Sequence, residues 1–156
     1  MRGVLAVVAL VLSSAAGVAE SYERVGFDRL SGFKFVPPEP TLDGSTPEGG
    51  DEQIPADIKG LNGKKLTVTG YMLPVRLVQG RATEFLLVKD PSMCCYGVMP
   101  EMNEWVVVKM KDGGVPPVMD VPVSFYGEFK VGATFENGYM TGIYELAGEG
   151  MAKAEG

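Results

Sequence analysis

Residues 65–75 read Lys-Leu-Thr-Val-Thr-Gly-Tyr-Met-Leu-Pro-Val. Leu66, Val68 and Met72 alternate with Lys65, Thr67, Thr69 and Tyr71, and Gly70 takes one place in the apolar row. A period of two marks a strand with one buried face, because successive side chains on an extended backbone point to opposite sides. A glycine inside such a row signals a bulge or a sharp bend, as a sheet needs when it curls. Pro74 has no amide hydrogen, so the ladder is expected to end there or to lie at a sheet edge. This one segment argues for β structure and for curvature together.

Outward from it, Asn62-Gly63 marks the preceding turn. Before that, Pro55 followed by Ala56-Asp57-Ile58-Lys59 reads as a single helical turn stopped near Gly60. After a Gln79-Gly80 turn, residues 83–89 form a second strand and residues 105–110 a third. Asp112-Gly113-Gly114 and Pro116-Pro117 make a loop. Residues 121–131 give a fourth strand, with Val121, Val123 and Phe125 on one face and Gly127 in its interior; Asn137-Gly138 then turns the chain into a fifth, 139–147. Upstream, Val25, Phe27, Leu30, Phe33 and Phe35 make an apolar lead-in with a short strand at 33–36. The stretch 37–53 mixes proline, glycine and acids and reads as a flexible surface linker. The small and charged residues 148–156 read as a disordered tail. Five strands without long helical periodicity predict an all-β protein. The expected arrangement is a small five-stranded antiparallel barrel over residues 54–147, preceded by an extension and linker over 20–53. A two-layer sandwich is the competing arrangement.

The first nineteen residues point to export. Arg2, an apolar run from Val4 to Leu12 and the small residues Ser13 to Ala19 have the layout of a signal peptide, cleaved after Ala19 or Ala16. The run is too short to span a bilayer, so the expectation is a periplasmic or secreted protein with no stable membrane insertion. The full chain has 14 basic and 20 acidic residues, a formal charge of −6, and Arg2 is the one charged residue of the leader. The mature surface is therefore more acidic still, which argues against a nucleic-acid partner and for an unknown protein or small ligand. Histidine is absent. Imidazole bases, Ser-His-Asp triads and histidine-ligated zinc are thereby excluded. The acids are dispersed and a cysteine nucleophile would lack an imidazole partner, so catalysis is poorly supported.

The strings Pro55-Ala56-Asp57-Ile58, Gly63-Lys64-Lys65, Gly70-Tyr71-Met72-Leu73-Pro74, Glu84-Phe85-Leu86-Leu87 and Cys94-Cys95-Tyr96-Gly97, with Pro100 and Asn103, stand in order along the chain. In these motifs it resembles a family of exported bacterial proteins grouped as a domain of unknown function, DUF3299. That resemblance runs from about Gly32 to Leu146 and implies an OB-like barrel and no reaction. Other branches carry a histidine two places after the cysteine matching Cys94; here that place is Tyr96.

Residues 93–103, Met-Cys-Cys-Tyr-Gly-Val-Met-Pro-Glu-Met-Asn, hold both cysteines of the chain and three of its nine methionines. Packing is the plain explanation, since thiol and thioether fill irregular apolar gaps. A Cys94–Cys95 disulfide would be strained, because adjacent α-carbons lie about 3.8 Å apart. A bridge between chains would make this a thiol-redox or disulfide-linked interaction protein. The sharper reading is a soft-metal site of Cys94, Cys95, Met99 and Met102. Thiolate and thioether suit Cu(I), whereas zinc would have to recruit carboxylates such as Glu101 or Glu104. Met99 and Met102 are three apart, which would set them on one side of a helical turn. A non-enzymatic binding or structural module accommodates all of these.

Overall fold

The computed structural model describes residues 21–92 and 97–153. The expected leader and the pair Cys94-Cys95 lie outside the described residues. Among these, the strands are β1 (Glu23–Val25), β2 (Lys65–Val78), β3 (Arg81–Val88), β4 (Trp105–Met110), β5 (Val123–Glu136) and β6 (Tyr139–Lys153), with one-turn helices α1 (Phe27–Leu30) and α2 (Ala56–Lys59).

In β2 the alternation holds: Leu66, Val68, Gly70 and Met72 are buried in succession. A strand has two hydrogen-bonding edges, and β2 uses both. Residues Lys65–Gly70 run antiparallel to β5, Tyr71–Val78 run antiparallel to β3, and β1 lies parallel along Leu66–Val68 on the edge that β3 leaves free. β3 continues to β4, β4 to β6, and β6 back to β5, so five strands close into a ring with β1 as an outlying sixth. The protein is all-β, and the expected five-stranded antiparallel sheet is corrected to a six-stranded mixed one. β1–β2 and β4–β6 are parallel. The second is forced by parity. Directions cannot alternate all the way around a ring of five, so at least one neighbouring pair must run parallel.

Other boundaries also moved. Pro74 does not stop β2: it stands opposite Phe85, and register shifts between Pro74 and Arg76 and between Arg76 and Leu77 absorb the missing donor. β5 starts at Val123, leaving Val121 half exposed outside the strand. β6 runs past Ala147 to Lys153, opposite Val123. Gly150, in the stretch expected to be a disordered tail, is a point of close approach, since a side chain there would collide with the Tyr126 ring. Residues 33–36 form no strand. Instead the Gln53 amide pairs with Val36, its Nε2 donating to the Val36 carbonyl at 2.8 Å and its Oε1 accepting from the Val36 N–H at 3.0 Å. The segment expected to be a loose linker is laid along the β5–β6 hairpin: Thr41 N–H donates to the Gly138 carbonyl, Pro47 is buried, and Asp51 Oδ1 accepts from the Ala133 N–H.

The barrel interior holds Leu66, Val68, Phe85, Leu87, Val106, Val108, Phe125, Phe129 and Leu146, with Phe85 and Phe125 at 4.6 Å between ring centres. The lead-in joins this core through Phe27, Leu30 and Phe35, and α2 through Ile58, followed by Leu61. Tyr144 ties the lead-in to β6, its buried hydroxyl donating to the Leu30 carbonyl at 2.7 Å. Burial, with the negative charge of Asp57 behind it, holds this phenol well above its ordinary pKa. At the surface, Glu149 of β6 accepts from Lys111 at 2.8 Å, from Lys65, and from the Tyr22 hydroxyl. These contacts hold its carboxyl at about 2.

Tyr144→Phe leaves the Leu30 carbonyl buried without that donor, and is expected to lower unfolding stability by about 1–3 kcal/mol in urea titration. For Glu149 the folded-state pKa lies below the ordinary 4.5. The carboxylate therefore contributes stability that is complete above about pH 4.5 and disappears as pH falls toward 2. The stability gap between wild type and Glu149→Gln, followed by denaturation from pH 6 to pH 2, should shrink across that window.

Candidate functional site

Along β3, Glu84, Leu86 and Val88 share one face; along β4, Trp105, Val107 and Lys109 do. The register sets them opposite one another as three rungs: Val88 with Trp105, Leu86 with Val107, Glu84 with Lys109. The intervening Phe85, Leu87, Val106 and Val108 fill the core, so these rungs form the outer face of the barrel. Their chemistry grades along the strands. Val88 and Trp105 are buried, Leu86 and Val107 half-buried, and Lys109 exposed.

The apolar end is roofed by residues 97–102, which lead into β4. A hollow of about 430 Å³ lies there, lined by Leu73, Leu86, Val88, Trp105, Met140 and the segment Gly97–Pro100 with Met102. Trp105, the one tryptophan of the chain, is held by its indole N–H, which donates to the Thr141 carbonyl at 3.3 Å. Asn103 fixes the end of the roof. It is completely buried, and its Nδ2 donates to the Phe33 carbonyl at 2.6 Å, while its Oδ1 has no hydrogen-bond partner among the described residues. Glu104 braces the same turn by taking the Glu101 N–H at 3.2 Å and an ion pair with Lys89 at 3.1 Å. Just after β3, Asp90 accepts from the Ser92 N–H at 2.7 Å, and that contact holds its carboxyl below the ordinary range.

The charged end opens into a second hollow of about 450 Å³ between the β2–β3 and β5–β6 hairpins. Val75, Leu86, Val107 and Phe135 supply apolar surface there, and Glu84, Lys109, Glu136 and Glu145 the charges. Leu86 lines both hollows, so they are two ends of one cleft. Lys109 lies 2.8 Å from Glu145. The hydrogen bond to Glu145 raises the Lys109 pKa. Burial works to raise the Glu145 carboxyl, but the hydrogen bond and charge of Lys109, with Lys130 beyond, outweigh it and the net shift is downward.

Of the metal ligands expected from sequence, Met99 and Met102 reach the same hollow, though not from a helical turn. Residues 97–101 have no regular structure; Met99 is 86% exposed at the mouth, and Met102 packs against the core. Cys94 and Cys95 lie outside the described residues. Met140, at the start of β6, brings a third thioether to this hollow. Nothing local in the sequence joins it to the Cys/Met stretch; only the return of β6 beside β4 does. Among the described residues, which include Glu101 and Glu104 but not Cys94 and Cys95, no three of His, Cys, Asp and Glu gather closely enough to hold a metal.

No curated protein matches this chain. It is similar in structure to a DUF3299 family protein from Pseudomonas aeruginosa PAO1, solved by crystallography at 2.45 Å resolution. The TM-score is 0.62 at 21% identity, with 87% of this chain and 98% of that one covered. Agreement at so low an identity speaks for the fold. The model of the protein family of unknown function DUF3299 matches residues 51–153, from the turn before α2 to the last residue of β6. This chain belongs to the DUF3299 family.

Proposed function

We propose that this protein is an exported, non-enzymatic binding module whose ligand seats in the cleft over the outer face of β3 and β4. One observation carries the reading. The three-rung face is not covered by the protein's own core at its middle rung; it is flanked by two hairpins and roofed at one end, leaving apolar surface of Leu86, Val107, Met99 and Met102 open to a guest. Concave, largely apolar surface with a few polar groups at one end is the usual form of a small-ligand site. The fold supports this placement, because OB-type barrels commonly bind across the corresponding strands, between the same pair of hairpin loops.

The same hollow supports a second reading. Met99, Met102 and Met140 come from two separate segments to line one cavity, adjoining the stretch that holds Cys94 and Cys95. Thioether and thiolate are Cu(I) ligands, so capture of a soft monovalent ion remains the metal chemistry this site would favour.

N-phenyl-1-naphthylamine, an uncharged apolar fluorophore, tests the first reading. Titrated into the protein, it should quench Trp105 by energy transfer, and Leu86→Gln should weaken it by about tenfold while the fold persists, because one buried leucine contributes roughly 1.5–3 kcal/mol. Unchanged affinity in a folded variant would remove the cleft as the site. For the metal, competition between a Cu(I) chelator and reduced protein distinguishes coordination from packing. Met99→Leu, Met102→Leu and Met140→Leu together preserve apolar volume and remove the three thioethers that line the hollow. The triple variant should lose Cu(I) to the chelator more readily than the wild type if these sulfurs are ligands, Cys94→Ser with Cys95→Ser should abolish stoichiometric uptake, and the melting temperature of the methionine variant should stay nearly unchanged.

A further inference from the structure

The cleft has unlike ends, and that asymmetry specifies a guest. We propose that it takes an extended peptide segment of another protein, with apolar side chains seated in the hollow beside Trp105 and over the Leu86–Val107 rung and a lysine or arginine at the Glu84–Lys109 rung. This rests on the binding cleft argued above and adds the chemical class of its occupant.

Length is the first support. From Val88 to Glu84 is four residues of strand, roughly 14 Å at about 3.4 Å per residue, the span of four or five extended residues in a guest. The rungs recur every second residue, which matches the period at which an extended peptide presents side chains to one side. Charge is the second. Glu84, Glu136 and Glu145 line the far end against a single lysine, Lys109, which is already engaged by Glu145 at 2.8 Å. The nearby cations do not close the end. Arg76 lies 3.8 Å from Glu84 with its side chain 69% exposed, and Lys130 lies 3.5 Å from Glu145 with its side chain 56% exposed. Neither lines the cleft. Such loose, solvated pairs contribute little and exchange readily for a better-placed cation. The overall charge of −6 acts in the same direction by drawing basic segments toward the surface and repelling acidic ones.

A free acyl or alkylammonium ligand would use the apolar end and the carboxylates but not the repeat of the rungs, so the two occupants separate experimentally. Trp105 lies in the apolar hollow and is the chain's single tryptophan, so its fluorescence reports occupancy directly. Three probes suffice: acetyl-Leu-Ala-Leu-Lys-Lys-amide, acetyl-Leu-Ala-Leu-Glu-Glu-amide, and octylammonium. The lysine peptide should bind at least about fivefold tighter than both others, with an advantage that fades as salt screens the carboxylates. Glu84→Gln with Glu136→Gln should erase its preference over the glutamate peptide while the melting temperature stays near that of the wild type. Equal binding of the two peptides, or tighter binding of the acidic one, overturns the charge assignment while the cleft stands. Octylammonium binding as tightly as the lysine peptide overturns the peptide occupant. If neither peptide binds while the fluorophore does, this inference fails alone; if the fluorophore fails too, the cleft fails with it.

Discussion

The structure depends on the change of partner along β2. This strand is hydrogen-bonded to β5 as far as Gly70 and to β3 from Tyr71 onward, and the ring closes only because one strand serves both. The handover happens where the barrel leaves no room for a side chain. A Cβ on Gly70 would stand 2.6 Å from the Val88 carbonyl oxygen and 3.0–3.1 Å from Phe27 and Leu87, so the inward row has a gap at that point by necessity. Close approach at one residue lets the sheet curl enough to seal, and sealing removes the exposed edges that an open sheet of this size would present.

Closure has a second consequence, at the outer face of β3 and β4. Because an odd ring must contain a parallel pair, β6 returns beside β4 in the same direction, and it pairs there only through Val107–Met110 with Glu145–Gly148. Before that, from Tyr139, β6 runs with β5 as a hairpin. Met140 and Thr141 thereby reach the apolar hollow and the Trp105 indole, and Glu136 and Glu145 reach the charged end. The same topological step that completes the barrel builds one wall of the cleft. The other wall, around Val75, comes from the β2–β3 hairpin, whose register shifts after Pro74 carry it beyond the ring.

Outside the ring, the remaining chain braces it. β1, α1 and the segment up to Asp51 seal the base and the back of the β5–β6 hairpin through specific polar contacts, among them Tyr144 to Leu30, Gln53 to Val36 and Asp51 to Ala133. Glu149 gathers Lys65, Lys111 and Tyr22 at one point, joining β2, the end of β4, the lead-in and β6. The face that carries the cleft is left out of this bracing.

Local pattern was enough for the strands and turns. Leu66, Val68 and Met72 alternate because an extended backbone permits nothing else, and Gln79-Gly80 and Asn137-Gly138 turn the chain with positive φ at both residues, as their side chains allow. The six-residue β4 follows the same logic without error. Where a residue's role depends on what approaches it from far along the chain, pattern was blind. Gly150 reads as a breaker until the Tyr126 ring is placed against it, and the proline- and glycine-rich stretch before Asp51 reads as a tether until Thr41 meets Gly138. Sequence brought the sulfur-bearing residues around Met99 and Met102 to notice by composition alone. Only the tertiary structure could add Met140 and assemble the Val88–Trp105, Leu86–Val107 and Glu84–Lys109 rungs, because a cross-strand face exists only once register is set, and register is decided by the closure of the whole barrel.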